Sequence, residues 1–208
     1  MRGFLDGRWH HVGMLRTEDL LRLEAAWRAQ GAPIAGDLAP GLNDAEIDAL
    51  LAADELMLPA ELRRWWGWHD GVRSGVWNEP VSQVGAGSWA FLSLSEALEQ
   101  RRSEISMGGG GFPADPDDWA GQWAPWWLPV ALAGSAYLFA DLSAEGEKTP
   151  IHLWAQQPDD VFTARFPSFG DVVAGWADGI ERGFFVWSAE RNEWDTPGNL
   201  PTEVLRLV

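Results

Sequence analysis

The chain has no cysteine. That absence removes disulfides, thiolate nucleophiles and zinc ribbons together, so stability must come from packing. Lys148 is the only lysine among 15 basic residues, and a single tyrosine stands beside 15 tryptophans. No stretch approaches the roughly 18 consecutive apolar residues of a membrane span. The first residues, MRGFLDGRWHHVGMLR, lack the continuous apolar core of a signal peptide. These absences lead us to expect a soluble, cytoplasmic protein with no membrane partner.

Positive charge is also scarce: 31 acidic residues against 15 basic ones leave a net charge of −16. Such a field repels phosphate backbones and argues against nucleic acid as the direct ligand. It attracts a basic protein and speeds the encounter. The same surface also keeps a protein soluble with no partner at all.

What is abundant is tryptophan, where ordinary usage would supply only ~3 in a chain of this length. The excess belongs in the core, at an interface, or on a sugar-binding face. At 208 residues the chain is most simply one domain, able to bury roughly 70% of its unfolded surface.

Thr17 is placed to cap a first helix with Leu20, Leu23 and Trp27 on one face and Gly31 as its stop. Asn43 and Glu46 form a capping-box pattern, opening a second helix that turns Ile47, Leu50 and Leu51 inward. LPAELRRWWGWHDG, Leu58 to Gly71, then describes a short helix from start to stop. Pro59 suits its first turn and Gly71 a left-handed cap. Leu58, Leu62, Trp65, Trp66 and His69 form its apolar stripe, with Glu61, Arg63, Arg64 and Asp70 mostly off it.

Trp89 to Leu94 reads as a strand, and Ser93 or Ser95 caps a helix to about Ile105. Met107 to Gly121, with four consecutive glycines, reads as a loop. Those glycines lack the lysine and following helix of a phosphate cradle. Trp127–Leu132, Tyr137–Leu142 and Ile151–Ala155 are short apolar runs with tight connections, an antiparallel meander. Ser168 caps a helix carrying Phe169, Val172, Val173, Trp176 and Ile180 at successive turns, expected to lie across that sheet. The form of residues 184–208 is left open.

In order, LPAELRRWWGWHDG, WWLPVALAGSAYLFADL and FPSFGDVVAGWADGIERG resemble the SUKH superfamily. That group holds fungal regulators of cell-wall glucan synthesis and many bacterial immunity proteins that neutralise toxins. The matching positions are Leu58, Pro59, His69, Asp70 and Gly71, then Trp127, Leu128, Pro129, Asp141 and Leu142, then Ser168 and Phe169. The likeness spans about residues 43–183, leaving 1–42 as an N-terminal helical extension and 184–208 as a C-terminal elaboration. It implies an α+β fold, a largely antiparallel sheet packed against several helices, and no catalytic set, cofactor or metal.

The residues agree with that implication. His69 lies on an apolar stripe, His152 alternates with Ile151 and Leu153 in a strand and is expected to face solvent, and His10-His11 sits in the N-terminal segment. No HExxH, cysteine pair or GxSxG accompanies them. Asp117-Asp118 and Asp159-Asp160 are adjacent pairs that point apart, which suits turns better than acid–base chemistry.

Trp77, Trp119, Trp123 and Trp194 lie in polar or glycine-rich surroundings and are candidates for exposure. Exposed tryptophan beside carboxylate is what a hot spot for a basic partner needs. The candidate contact residues are therefore Trp77, Glu79, Asp115, Asp117, Asp118, Trp119 and Trp123. The leading expectation is a non-enzymatic immunity protein for a basic toxin, such as a nuclease. The alternative is a carbohydrate-binding or cell-wall-linked regulatory or scaffold module.

Overall fold

Local signals place the helices. The computed structural model describes residues 13–74, 79–85, 88–107, 123–154 and 164–201. Helix α1 (Thr17–Gln30) opens with Arg16 as its cap residue: the Arg16 amide donates to Asp19 at 3.1 Å. Thr17 is thus the first helical residue and not the cap that its sequence position suggests. Gly31, at φ 69, closes the helix. After the single turn α2 (Ile34–Asp37), the Asn43–Glu46 box opens α3 (Asp44–Leu51), with reciprocal bonds of 3.0 and 2.8 Å.

Helix α4 (Ala60–Trp68) takes Pro59 as its cap residue, and His69 leaves it in extended conformation. Gly71 therefore does not cap the helix. Its φ is 72, and a Cβ there would lie 2.7 Å from the Ser93 nitrogen, so it serves the close passage of two backbones. Helix α5 (Leu94–Met107) starts from a Ser93–Glu96 box and runs two residues past Ile105. Helix α6 (Phe169–Glu181) is capped by Ser168, as its sequence predicts.

Strands β1 (Ala90–Phe91), β2 (Trp127–Ala133), β3 (Ala136–Asp141) and β4 (Ile151–Trp154) form an antiparallel sheet in the order β1-β2-β3-β4. Pro129 donates nothing to a ladder, and the β2–β3 register slips between Pro129 and Ala131. The pairing puts Phe91, Ala131, Leu138 and Leu153 on one face. Trp65 of α4 meets Phe91 there at 4.2 Å between ring centroids. Trp127, Phe139, Tyr137 and Trp154 share the other face, against Trp123 and, through the Tyr137 hydroxyl, α5.

The helix expected across the sheet has its main packing against other helices. Helix α6 packs along α1 and touches α4, while α5 lies against β2. The seam with α1 is close enough that a Cβ at Gly170 would come within 2.6 Å of the Leu15 nitrogen. Arg22 of α1 pairs with Asp178 and Glu181 of α6. Leu15 and, from α1, Leu20, Leu23 and Trp27 thus join the same apolar cluster as α4, α6 and the sheet.

The C-terminal part of the described chain is a hairpin, β5 (Val186–Ser188) and β6 (Glu193–Asp195), with Trp187 and Trp194 paired. The terminal segment Val204–Val208 lies outside the described residues. The architecture is α+β, and no helix among the described residues is long and apolar enough to cross a membrane.

Candidate partner-binding residues

Trp123 is a correction. It was expected to be exposed, yet it is 2% accessible and its indole donates to the Trp127 carbonyl at 3.0 Å. Four aromatic rings, Trp127, Tyr137, Phe139 and Trp154, surround it within 6 Å. The polar sequence around it concealed a residue whose burial depends on a strand four positions later. Glu79 is exposed, as a contact residue needs. Trp77, Asp115, Asp117, Asp118 and Trp119 lie outside the described residues, as do Gly108–Gly111, Asp159-Asp160 and His10-His11.

Most of the tryptophan excess is core. Trp27, Trp65, Trp66, Trp89, Trp123, Trp127, Trp176 and Trp187 are buried, and Trp68, Trp154 and Trp194 are partly so. Trp194, another candidate for exposure, donates its indole N–H to Gln83 at 3.3 Å. Trp126 is the one described tryptophan in the exposed class.

The groups with chemistry in them hold the fold. His69 Nδ1 sits 2.7 Å from the Ala39 carbonyl. His152, expected to face solvent, is buried and stacks on Phe139, 5.2 Å between centroids, because the sheet is covered on both faces. Asp70 accepts the Leu94 amide at 2.7 Å, and burial pushes its carboxyl above the ordinary range against that bond's opposing pull. Tyr137 is pushed up by burial and by its bond to Glu104.

Glu61, expected off the apolar stripe, is fully buried. It accepts three backbone N–H groups: Leu15 at 2.7 Å, Gly170 at 3.1 Å and Thr149 at 2.7 Å. Among the described residues no group of three or more His, Asp or Glu side chains stands close enough to hold a metal ion.

A second polar node ties α5 to its surroundings. Asp54, in the 3-10 turn Ala52–Asp54, receives Arg101 at 2.9 Å and also Arg102, while Arg101 donates to the Pro125 carbonyl at 2.7 Å. Asp54 and Arg101 side chains are almost wholly buried, and burial pulls the Arg101 pKa below its usual value despite the facing carboxylate. Asp54→Ala is expected to cost about 3–5 kcal/mol, since it strands a buried guanidinium. The exposed Asp44→Ala, which loses only a 3.5 Å contact with Arg63, costs less than about 1 kcal/mol. Urea midpoints of the two variants decide the matter: equal shifts would mean that the Asp54 node carries no special weight.

Sequence reasoning missed the large apolar side chains that the structure leaves open to solvent: Leu21 at 55%, Met57 at 84%, Met107 at 69% and Trp126 at 38%. Met57 and Trp126 each stand one residue before a segment that the sequence marks, at Leu58 and Trp127, and only the finished packing shows that they stay outside.

Two comparisons complete the description. The family model for the SMI1 / KNR4 family (SUKH-1) matches residues 41–175, more than half of the chain. No curated protein matches it.

Proposed function

The chain belongs to the SMI1/KNR4 family (SUKH-1), and from that premise we propose that it is a non-catalytic binding module: an immunity protein that neutralises a basic toxin by covering its working surface. The observation that carries this reading is a net charge of −16 on an aromatic-rich chain. Glu61, His69 and Asp70 are spent on hydrogen bonds to the backbone. An acidic surface mimics the phosphate field that a nuclease is built to meet, and it steers a basic partner into contact.

Glu79, Asp115, Asp117, Asp118, Trp77 and Trp119 are the proposed contact residues, with acids for steering and tryptophan for anchoring. The internal place of most tryptophans supports a protein partner over a sugar.

The test is genetic. Cells expressing the product of the open reading frame adjacent to this one are expected to die alone and to survive when this chain is co-expressed. Unaltered killing, together with separate elution of the two proteins on size exclusion, would sink the proposal.

A further inference from the structure

The chain enters α1 through a clasp at the start of α6. The Ser168 hydroxyl stands 3.0 Å from the Gly13 carbonyl and 2.8 Å from Asp171 Oδ2, and it accepts the Asp171 amide at 3.1 Å. Leu15 gives its amide to Glu61 of α4 and receives Arg64 of the same helix on its carbonyl. Gly170 lets the backbones meet, since a Cβ there would lie 2.7 Å from the Gly13 oxygen.

The clasp is one proton short. A serine hydroxyl carries one hydrogen and accepts on two lone pairs. With Asp171 ionised, the Gly13 carbonyl and Asp171 Oδ2 both face that single hydrogen, and the charged acceptor takes it. The Gly13 carbonyl then loses Ser168 as its donor. Asp171 Oδ1 is buried and has no hydrogen-bond partner among the described residues. A proton on Oδ2 mends the set: Oδ2–H donates to Ser168 Oγ, the serine hydrogen turns to the Gly13 carbonyl, and the Asp171 amide keeps the second lone pair.

The surroundings favour that proton. Burial pushes the Asp171 carboxyl above its ordinary range, and Glu61 adds to the push. The Ser168 hydroxyl, Lys148 just before β4 and the Gly13 amide pull the other way without cancelling it. Arg64, also on α4, is engaged by the Leu15 carbonyl.

We propose that Asp171 and Ser168 form a proton-dependent clasp on the entry to α1, in which a proton taken from solvent by Asp171 reverses its bond with Ser168 and frees the serine hydrogen to hold Gly13. A carboxyl that binds its proton more readily in the folded chain stabilises the fold fully below the ordinary aspartate value of about 4, and loses that contribution as pH rises through the raised value. Mild acid therefore tightens the joint between residues 13–15 and α6.

The test compares the full chain with Asp171→Asn, whose amide donates from the Oδ2 position at every pH. At about pH 7.5 the variant is expected to melt about 2–4 °C above the wild type, and the gap is expected to close as pH falls toward about 5. A gap that pH leaves unchanged, or that widens in acid, overturns the proposal, as does a variant that fails to fold. The Leu15 amide separates a clasp from a merely buried carboxyl. Its hydrogen exchange, corrected for the intrinsic rate, is expected to slow about 3- to 10-fold more in the wild type than in the variant over the same pH range, up to the effect of one pKa unit. Equal slowing in the two chains overturns the clasp.

Discussion

Glu61→Ala is expected to lower the melting temperature by roughly 10–20 °C. Its carboxylate is fully buried and accepts three amides from three separate parts of the chain, at Leu15, Thr149 and Gly170. Alanine leaves all three N–H groups in the interior, each costing about 1–3 kcal/mol when unpaired, for a loss of about 3–6 kcal/mol. For a chain of this size each kcal/mol moves the midpoint by about 2–4 °C. Glu61→Gln keeps one carbonyl oxygen but turns an NH2 toward an N–H donor, so it falls between wild type and alanine.

Tryptophan fluorescence reports the transition directly, because Trp65 lies one turn along the same helix. A Glu61→Ala midpoint within about 3 °C of wild type would show that water has replaced the carboxylate and that this residue does not join the three segments.

The second large effect concerns the boundary of the folding unit. A fragment of residues 41–175, the stretch that matches the family, is expected not to fold cooperatively. It lacks Leu15 and α1, whose Leu20, Leu23, Ala26 and Trp27 are buried with it in the common core, and it lacks the part of α6 from Trp176 onward. Burying these five side chains is worth about 10 kcal/mol by transfer bookkeeping, the size of an ordinary protein's whole net stability. The fragment also leaves Glu61 without the Leu15 amide. A sigmoidal urea transition and near-ultraviolet dichroism matching the full chain would contradict this. A broad transition with exposed apolar surface is the expected result.

The sequence resolved the parts of the fold that local chemistry decides. Asn43–Glu46 and Ser168 wrote their helix starts in hydrogen-bonding side chains, and the three apolar runs from Trp127 to Trp154 became the meander they describe. What it concealed was decided at long range. Glu61 looked solvated because a helical wheel shows only its own helix. Its partners lie 46, 88 and 109 residues away in the chain.

Trp123 and His152 looked open for the same reason: one is closed over by strands that follow it, the other by the stacking of Phe139. The placement of α6 against α1, with α5 on the sheet, was equally out of reach. Both helices carry an apolar stripe, and amphipathicity says that a face is buried without naming its neighbour. The sequence named acids and tryptophans as candidate contacts, and it did not show that Met57, Met107 and Trp126 stand exposed. Exposure of an apolar residue is a property of the assembled surface.

The central claim is that this acidic chain holds a basic protein partner, and calorimetry across a salt series tests it most directly. With the product of the adjacent open reading frame as titrant, the account predicts a stoichiometric complex with Kd near or below about 10 nM at low salt. Affinity should weaken as salt rises toward 0.5 M, because screening removes attraction between exposed charges. No heat of binding at low salt, or an affinity that salt leaves unchanged, would contradict it.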